Sequence, residues 1–157
     1  MEIDPPDMAQ VPLDTFARNA ATPSAPDASF RGLIVRVPTE VRIDAGEEPV
    51  IPIAGFGLLD VPSPPTDEPM LLIAVDEAGD EHQGVIAPVD EGPVIPPPAL
   101  PPPDPADLVG VFVESYFNPD LVATCSLAPP FGRYRVRVEY RGFVSNEEEV
   151  AVVDIVP

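Results

Sequence analysis

Residues 132–156 read GRYRVRVEYRGFVSNEEEVAVVDIV, and this stretch decides the fold class. Successive side chains of an extended chain point to opposite faces. Tyr134, Val136, Val138 and Tyr140 therefore share one face, while Arg133, Arg135, Arg137, Glu139 and Arg141 share the other. So strict a period of two describes a strand with one face buried and one in water. Residues 142–146, opening on Gly142, supply a turn, and the Val-rich residues 150–156 close the chain as a second strand. A lone hairpin is marginal in water, so the remaining sequence must supply more strands.

Upstream, residues 33–37 place Leu33, Val35 and Val37 on one face, with Ile34 and Arg36 on the other, and Pro38 stops the run. Residues 40–44 alternate again with Val41 and Ile43 inward, and Gly46 marks a turn into residues 49–56. Pro49 and Pro52 lack amide donors, which puts that segment at an edge or a bend. Residues 70–75 and 85–89 flank the acidic connection DEAGDEHQG and read as a hairpin. Residues 108–117 return to strand character, as do residues 121–127, where Leu121, Ala123, Cys125 and Leu127 alternate with Val122, Thr124 and Ser126. Nine prolines within residues 88–105 favour extended polyproline geometry for the connection between them. The expectation is an all-β fold: a two-sheet antiparallel sandwich of about seven to nine strands with long proline-rich loops. Residues 30–157 form that domain, with 88–105 as its crossover loop. Residues 1–29 show no sustained period and read as an extended or disordered N-terminal arm, with one helical turn available after Pro12 through Leu13 and Phe16.

The segment APPFGRYRVRVEYRGFVSNEEEVAVV, residues 128–153, resembles the closing strand pair of immunoglobulin-like and fibronectin-type-III-like domains. The resemblance implies an immunoglobulin-like sandwich. It also implies that Tyr134, near the start of the penultimate strand, turns back to hydrogen-bond the preceding corner.

Charge bounds the partners. The 157 residues hold 27 Asp plus Glu against eight basic residues, all arginine, for a formal net charge of -19. Such a field repels phosphate backbones and anionic lipid, so no nucleic-acid partner is expected. No apolar run reaches the roughly 18 to 20 residues a membrane-spanning helix needs, so no membrane insertion is expected. The start MEIDPPDMAQ has neither a basic region nor an apolar stretch, and no secretory signal is expected in it. One cysteine, Cys125, allows no disulfide within the chain.

Candidate chemistry is sparse. His82 sits in the acidic connection with no HExxH motif and no second histidine, so a solvated turn is the expected setting. Ser63, Ser115 and Ser126 stand in PSP, ESY and CSL contexts, none of them a G-x-S-x-G elbow. Cys125 among apolar neighbours reads as a small buried hydrophobe. Asp76, Glu77, Asp80 and Glu81 are the metal candidates, for a weak Ca²⁺ site in a loop. Arg133, Arg135 and Arg137 form a positive stripe that either receives the acidic surface of another subunit or pairs internally with Glu147 and Glu149. Val11, Leu13 and Phe16 of the arm are candidates for strand addition to a neighbour's edge.

These readings converge on a non-catalytic structural or protein-interaction module without a cofactor. Its expected partner is another protein or a second copy of itself. The alternative is a ligand-binding module with Ca²⁺ or a carbohydrate in loops at one end of the sandwich.

Overall fold

The structure, a computed structural model, describes residues 1–60, 68–86 and 112–155. In chain order the elements are β1 (Glu2–Asp4), a 3-10 turn (Pro6–Gln10), β2 (Gly32–Arg36), β3 (Glu40–Asp44), β4 (Ala54–Asp60), β5 (Met70–Val75), β6 (Glu81–Ile86), β7 (Phe112–Phe117), α1 (Leu121–Cys125), β8 (Gly132–Tyr140), β9 (Phe143–Val144) and β10 (Glu148–Ile155). They make two sheets. The larger runs β1-β3-β10-β8-β5-β6, with β9 paired to β8, and the smaller runs β2-β4-β7.

The expected hairpin of the C-terminal stretch is present, with Val150 opposite Tyr134 and Glu148 opposite Val136. Its turn is tighter than residues 142–146. Arg141 and Gly142 both take positive φ (51° and 79°), which lets Phe143 pair directly with Tyr140. Tyr134, Val136 and Val138 are buried, as the alternation requires. A single apolar core gathers them with Leu33 and Val35 of β2, Ile53, Leu59 and Phe117, so it takes in side chains from both sheets. Asn146 adds a polar tie between the sheets. Its side chain accepts from the Val35 N–H at 2.8 Å and donates to the Val35 carbonyl at 3.0 Å, satisfying both backbone groups of that residue.

Several expectations need correction. The pairing is not uniformly antiparallel: β10 runs parallel to β3, with Val152 beside Val41, because the long path between them brings both in from the same end. Residues 121–127 are not a strand. The Asp120 carboxylate accepts from the Val122 N–H at 3.1 Å and caps a helix, and the Asp120 carbonyl accepts from Thr124 N–H at 2.9 Å. Leu121 and Cys125, one turn apart, are buried on one side of it, and Ser126 ends it in the left-handed region at φ 54°. Residues 49–53 carry only an isolated bridge from Pro52 to Asp120, and the strand begins at Ala54.

Residues 1–29, expected as an arm, are tied to the body at several points. Glu2–Asp4 pairs with β3, Met8 is fully buried, and Val11 packs with Met8, Ala21 and Ala54. The Asn118 side chain, 1% exposed, donates to the carbonyls of Thr15 and Ala17 and accepts from the Asn19 amide at 2.9 Å. Residues 13–19 form a turn and a bridge to Asn118 rather than a helical turn. The expected crossover at 88–105 lies outside the described residues, as do residues 108–111 and Ser63.

Candidate functional site

The β5–β6 hairpin builds one wall of the most distinctive cavity. Its connection has Asp at the first position and Gly at the fourth, the signature of a type I turn, and Gly79 takes φ 87°. Asp76 organises the loop: one carboxylate oxygen accepts from the N–H groups of Ala78 at 2.9 Å and Asp80 at 3.0 Å. Its other oxygen lies 2.9 Å from His82 Nε2. His82 is thus in β6 rather than in a solvated turn, since the short loop lets the strand restart at Glu81. The hydrogen bond from His82, and then those from the backbone, hold the Asp76 carboxyl below its ordinary range.

The second wall is the chain leaving α1, residues 126–134. Glu77 reaches across and accepts from the Arg133 N–H at 2.9 Å, locking the hairpin loop to the start of β8. Between the walls lies a cavity of about 420 Å³, bordered by Asp76, Glu77, His82, Phe131 and Tyr134. The Tyr134 ring stands edge-on to His82 with centroids 6.3 Å apart, and only 5% of the residue is exposed. Its hydroxyl makes no hydrogen bond among the described residues, so the contact to a preceding corner implied by the immunoglobulin resemblance is not formed. Burial, and after it the charges of Asp76 and Glu77, push the Tyr134 phenol up. Phe131 is exposed at the rim.

Asp76, Glu77, Asp80 and Glu81 do not converge: Glu81 pairs with Arg137 at 3.0 Å, and no group of three or more metal-ligating side chains is gathered among the described residues. The Arg stripe pairs internally. Arg133 meets Glu149 at 2.9 Å and Arg135 meets Glu147 at 3.6 Å across the closing hairpin. Cys125 is buried, donates to the Leu72 carbonyl and has its thiol pushed up to about 11 by burial. Ser126 borders the same cavity as His82 without a hydrogen bond to it, and Ser115 lies on β7 opposite Gly57.

No family model, curated protein or solved structure matches the chain.

A second surface lies at the far side of β6, the last strand of the larger sheet. Glu81, Gln83 and Val85 are exposed, whereas Ile86 is buried and Gly84 faces inward against α1. Glycine is required there: a Cβ would collide with the Thr124 carbonyl. Val85 is 54% exposed and, with the 45% exposed Phe16, borders a groove of about 190 Å³ between β6, α1 and residues 14–16. Sequence reasoning named Phe16 and gave Tyr134 a corner hydrogen bond, but it missed Val85 as an exposed residue of β6 and Tyr134 as part of the cavity. The Asp-x-x-Gly turn was the available signal for Val85, because it sets which residues of β6 face outward. No helix among the described residues is long and apolar enough to cross a membrane.

Proposed function

We propose that the chain is a non-catalytic, immunoglobulin-like sandwich module that works by protein–protein interaction, adding an extended strand of a partner to β6. The supporting observation is an apolar patch on an open edge. Among the described residues no strand pairs with the outer side of β6, and Val85 and Phe16 stand exposed beside it. An unpaired row of N–H and C=O groups is a template for another strand, and flanking apolar side chains supply the hydrophobic component.

A second copy is the occupant we assign. Antiparallel pairing of two β6 strands about Gln83 would set each Glu81 opposite Val85 of the other copy, not opposite a like charge. The Arg stripe favours the same reading by its unavailability, since its guanidinium groups already hold Glu149, Glu147 and Glu81. Assembly through an apolar edge on a chain of net charge -19 should strengthen as salt screens the repulsion. Light-scattering mass at low and high salt tests this. The expected result is a dimer favoured by salt and abolished by Val85→Lys. A mass that falls as salt rises would return assembly to the Arg stripe, and a monomer throughout would overturn the homotypic reading.

A further inference from the structure

The cavity between the β5–β6 loop and residues 126–134 has a charge balance unlike that of a structural void. Of the eight arginines, six bind carboxylates: Arg36 with Asp7, Arg42 with Glu40, Arg133 with Glu149, Arg135 with Glu147, Arg137 with Glu81 and Arg141 with Asp60. Arg31 lies 3.5 Å over the Phe112 ring, and Arg18 sits beside the Tyr116 hydroxyl. Arg133 borders the cavity, yet its guanidinium is turned to Glu149. His82 is the other basic side chain there, and its Nε2 is already engaged with Asp76. The Asp76 and Glu77 carboxylates at the cavity therefore have no arginine against them. One Glu77 oxygen holds the Arg133 N–H, and the other has no partner among the described residues.

Two further groups point to a ligand. Tyr134 is 5% exposed and borders the cavity, and its hydroxyl, which makes no hydrogen bond among the described residues, is not sealed from solvent. Phe131 presents an aromatic ring at the rim, 41% exposed. Carboxylates with aromatic faces and an unpaired phenol suit an organic cation, which combines charge attraction, cation–π contact and N–H donation. A divalent metal fits less well, because no group of three or more metal-ligating side chains gathers there among the described residues, while an organic cation needs only the charge of the carboxylates. An anion would meet repulsion from both carboxylates.

We propose that this cavity binds an organic cation, a guanidinium or ammonium group on an alkyl stem, between Glu77 and Asp76 on one side and Tyr134 and Phe131 on the other. The cation can come as a free guanidino-amine or as an arginine side chain of a basic protein segment. This site is separate from the β6 edge, so Val85→Lys should leave it intact.

Calorimetric titration of the full chain at low salt tests it, with Tyr134 ring-proton shifts as a second readout. The probes are agmatine, the peptide acetyl-Gly-Arg-Gly-amide, and the same peptide with citrulline, an uncharged isostere, in place of arginine. Saturable binding of agmatine, the Arg peptide or both is expected, and none of the citrulline peptide. Tighter agmatine assigns a free guanidino-amine, and tighter peptide assigns a protein arginine. Glu77→Gln keeps the acceptor for the Arg133 N–H and should weaken binding by about tenfold, and Tyr134→Phe, which keeps the ring, by roughly fivefold to tenfold. Glu148→Gln, remote from the cavity, is the control for general attraction to an acidic surface. Equal weakening by Glu77→Gln and Glu148→Gln, binding of the citrulline peptide, or no saturable change with either cation would overturn the proposal.

Discussion

Two segments with the same apolar alternation in sequence fold differently. In β8 the residues at every second position, Tyr134, Val136 and Val138, are buried. In α1 the equivalent series of Leu121, Ala123 and Cys125 splits: Leu121 and Cys125 are buried, and Ala123 is exposed. The difference lies in what precedes and follows. β8 starts at Gly132 and has β5 and β10 on its two sides to satisfy its backbone. Residues 121–125 start on a capping Asp120 and end on a left-handed Ser126, so their backbone needs no neighbouring strand, and the Leu121 N–H reaches out to the Ile51 carbonyl at 2.9 Å. A short alternating run is therefore ambiguous until its ends are read.

The largest test of this contrast is a matched pair of charges. Val136→Asp buries a carboxylate at a position with 0% exposure and should cost more than about 4 kcal/mol, or prevent folding. Ala123→Asp should change stability by less than about 0.5 kcal/mol, because that side chain meets solvent in a helix. Chemical denaturation checks both. A loss for Ala123→Asp equal to that of Val136→Asp would restore the strand reading.

Next in size is Gly84→Ala. The new methyl meets the Thr124 carbonyl, so α1 must shift off β6 at a cost of roughly 1–3 kcal/mol, read as a lowered denaturation midpoint. Asp120→Ala removes both the helix cap and the acceptor for the Ile51 N–H at 3.0 Å, and should cost about 0.5–2 kcal/mol.

The pH dependence separates Asp120 from Asp76. Burial raises the Asp120 carboxyl above its ordinary 3.8, so the folded state holds that proton more tightly than the unfolded chain. Its contribution favours folding at low pH and declines as pH rises from 3.8 through the raised value. Asp76 is shifted the other way: its contribution is complete above 3.8 and is lost as pH falls through its lowered folded value. Thermal melts at pH 3 and pH 7 should show Asp120→Asn gaining on the native chain as pH rises, and Asp76→Asn losing on it. A small effect is also expected for Arg133→Ala, whose exposed pair with Glu149 should be worth less than about 1 kcal/mol in denaturation.

The all-β class and two sheets were legible because alternation recurs in residues 33–37, Glu40–Asp44 and Gly132–Tyr140, with Met70–Val75 as a short continuous apolar run. The helix was not, since five residues carry too few turns for a 3.6 period to show, although Asp120 and the Leu121–Cys125 spacing were visible. Residues 1–29 misled because long-range groups hold them: Asn118 is 99 residues from Asn19 in sequence. The cavity was legible only in fragments. His82 and Asp76 were noticed as a turn, but only pairing of β5 with both β6 and β8 brings Tyr134 beside them.

The most direct test of the interaction reading is residue-resolved amide hydrogen exchange along Glu81–Ile86 at low and high protein concentration in moderate salt. If β6 receives a second copy, the amides of this strand not bonded to β5 should slow as concentration rises, and Val85→Lys should abolish the change. Exchange at those amides that stays constant while the mass of the protein grows would place the contact elsewhere and contradict the account.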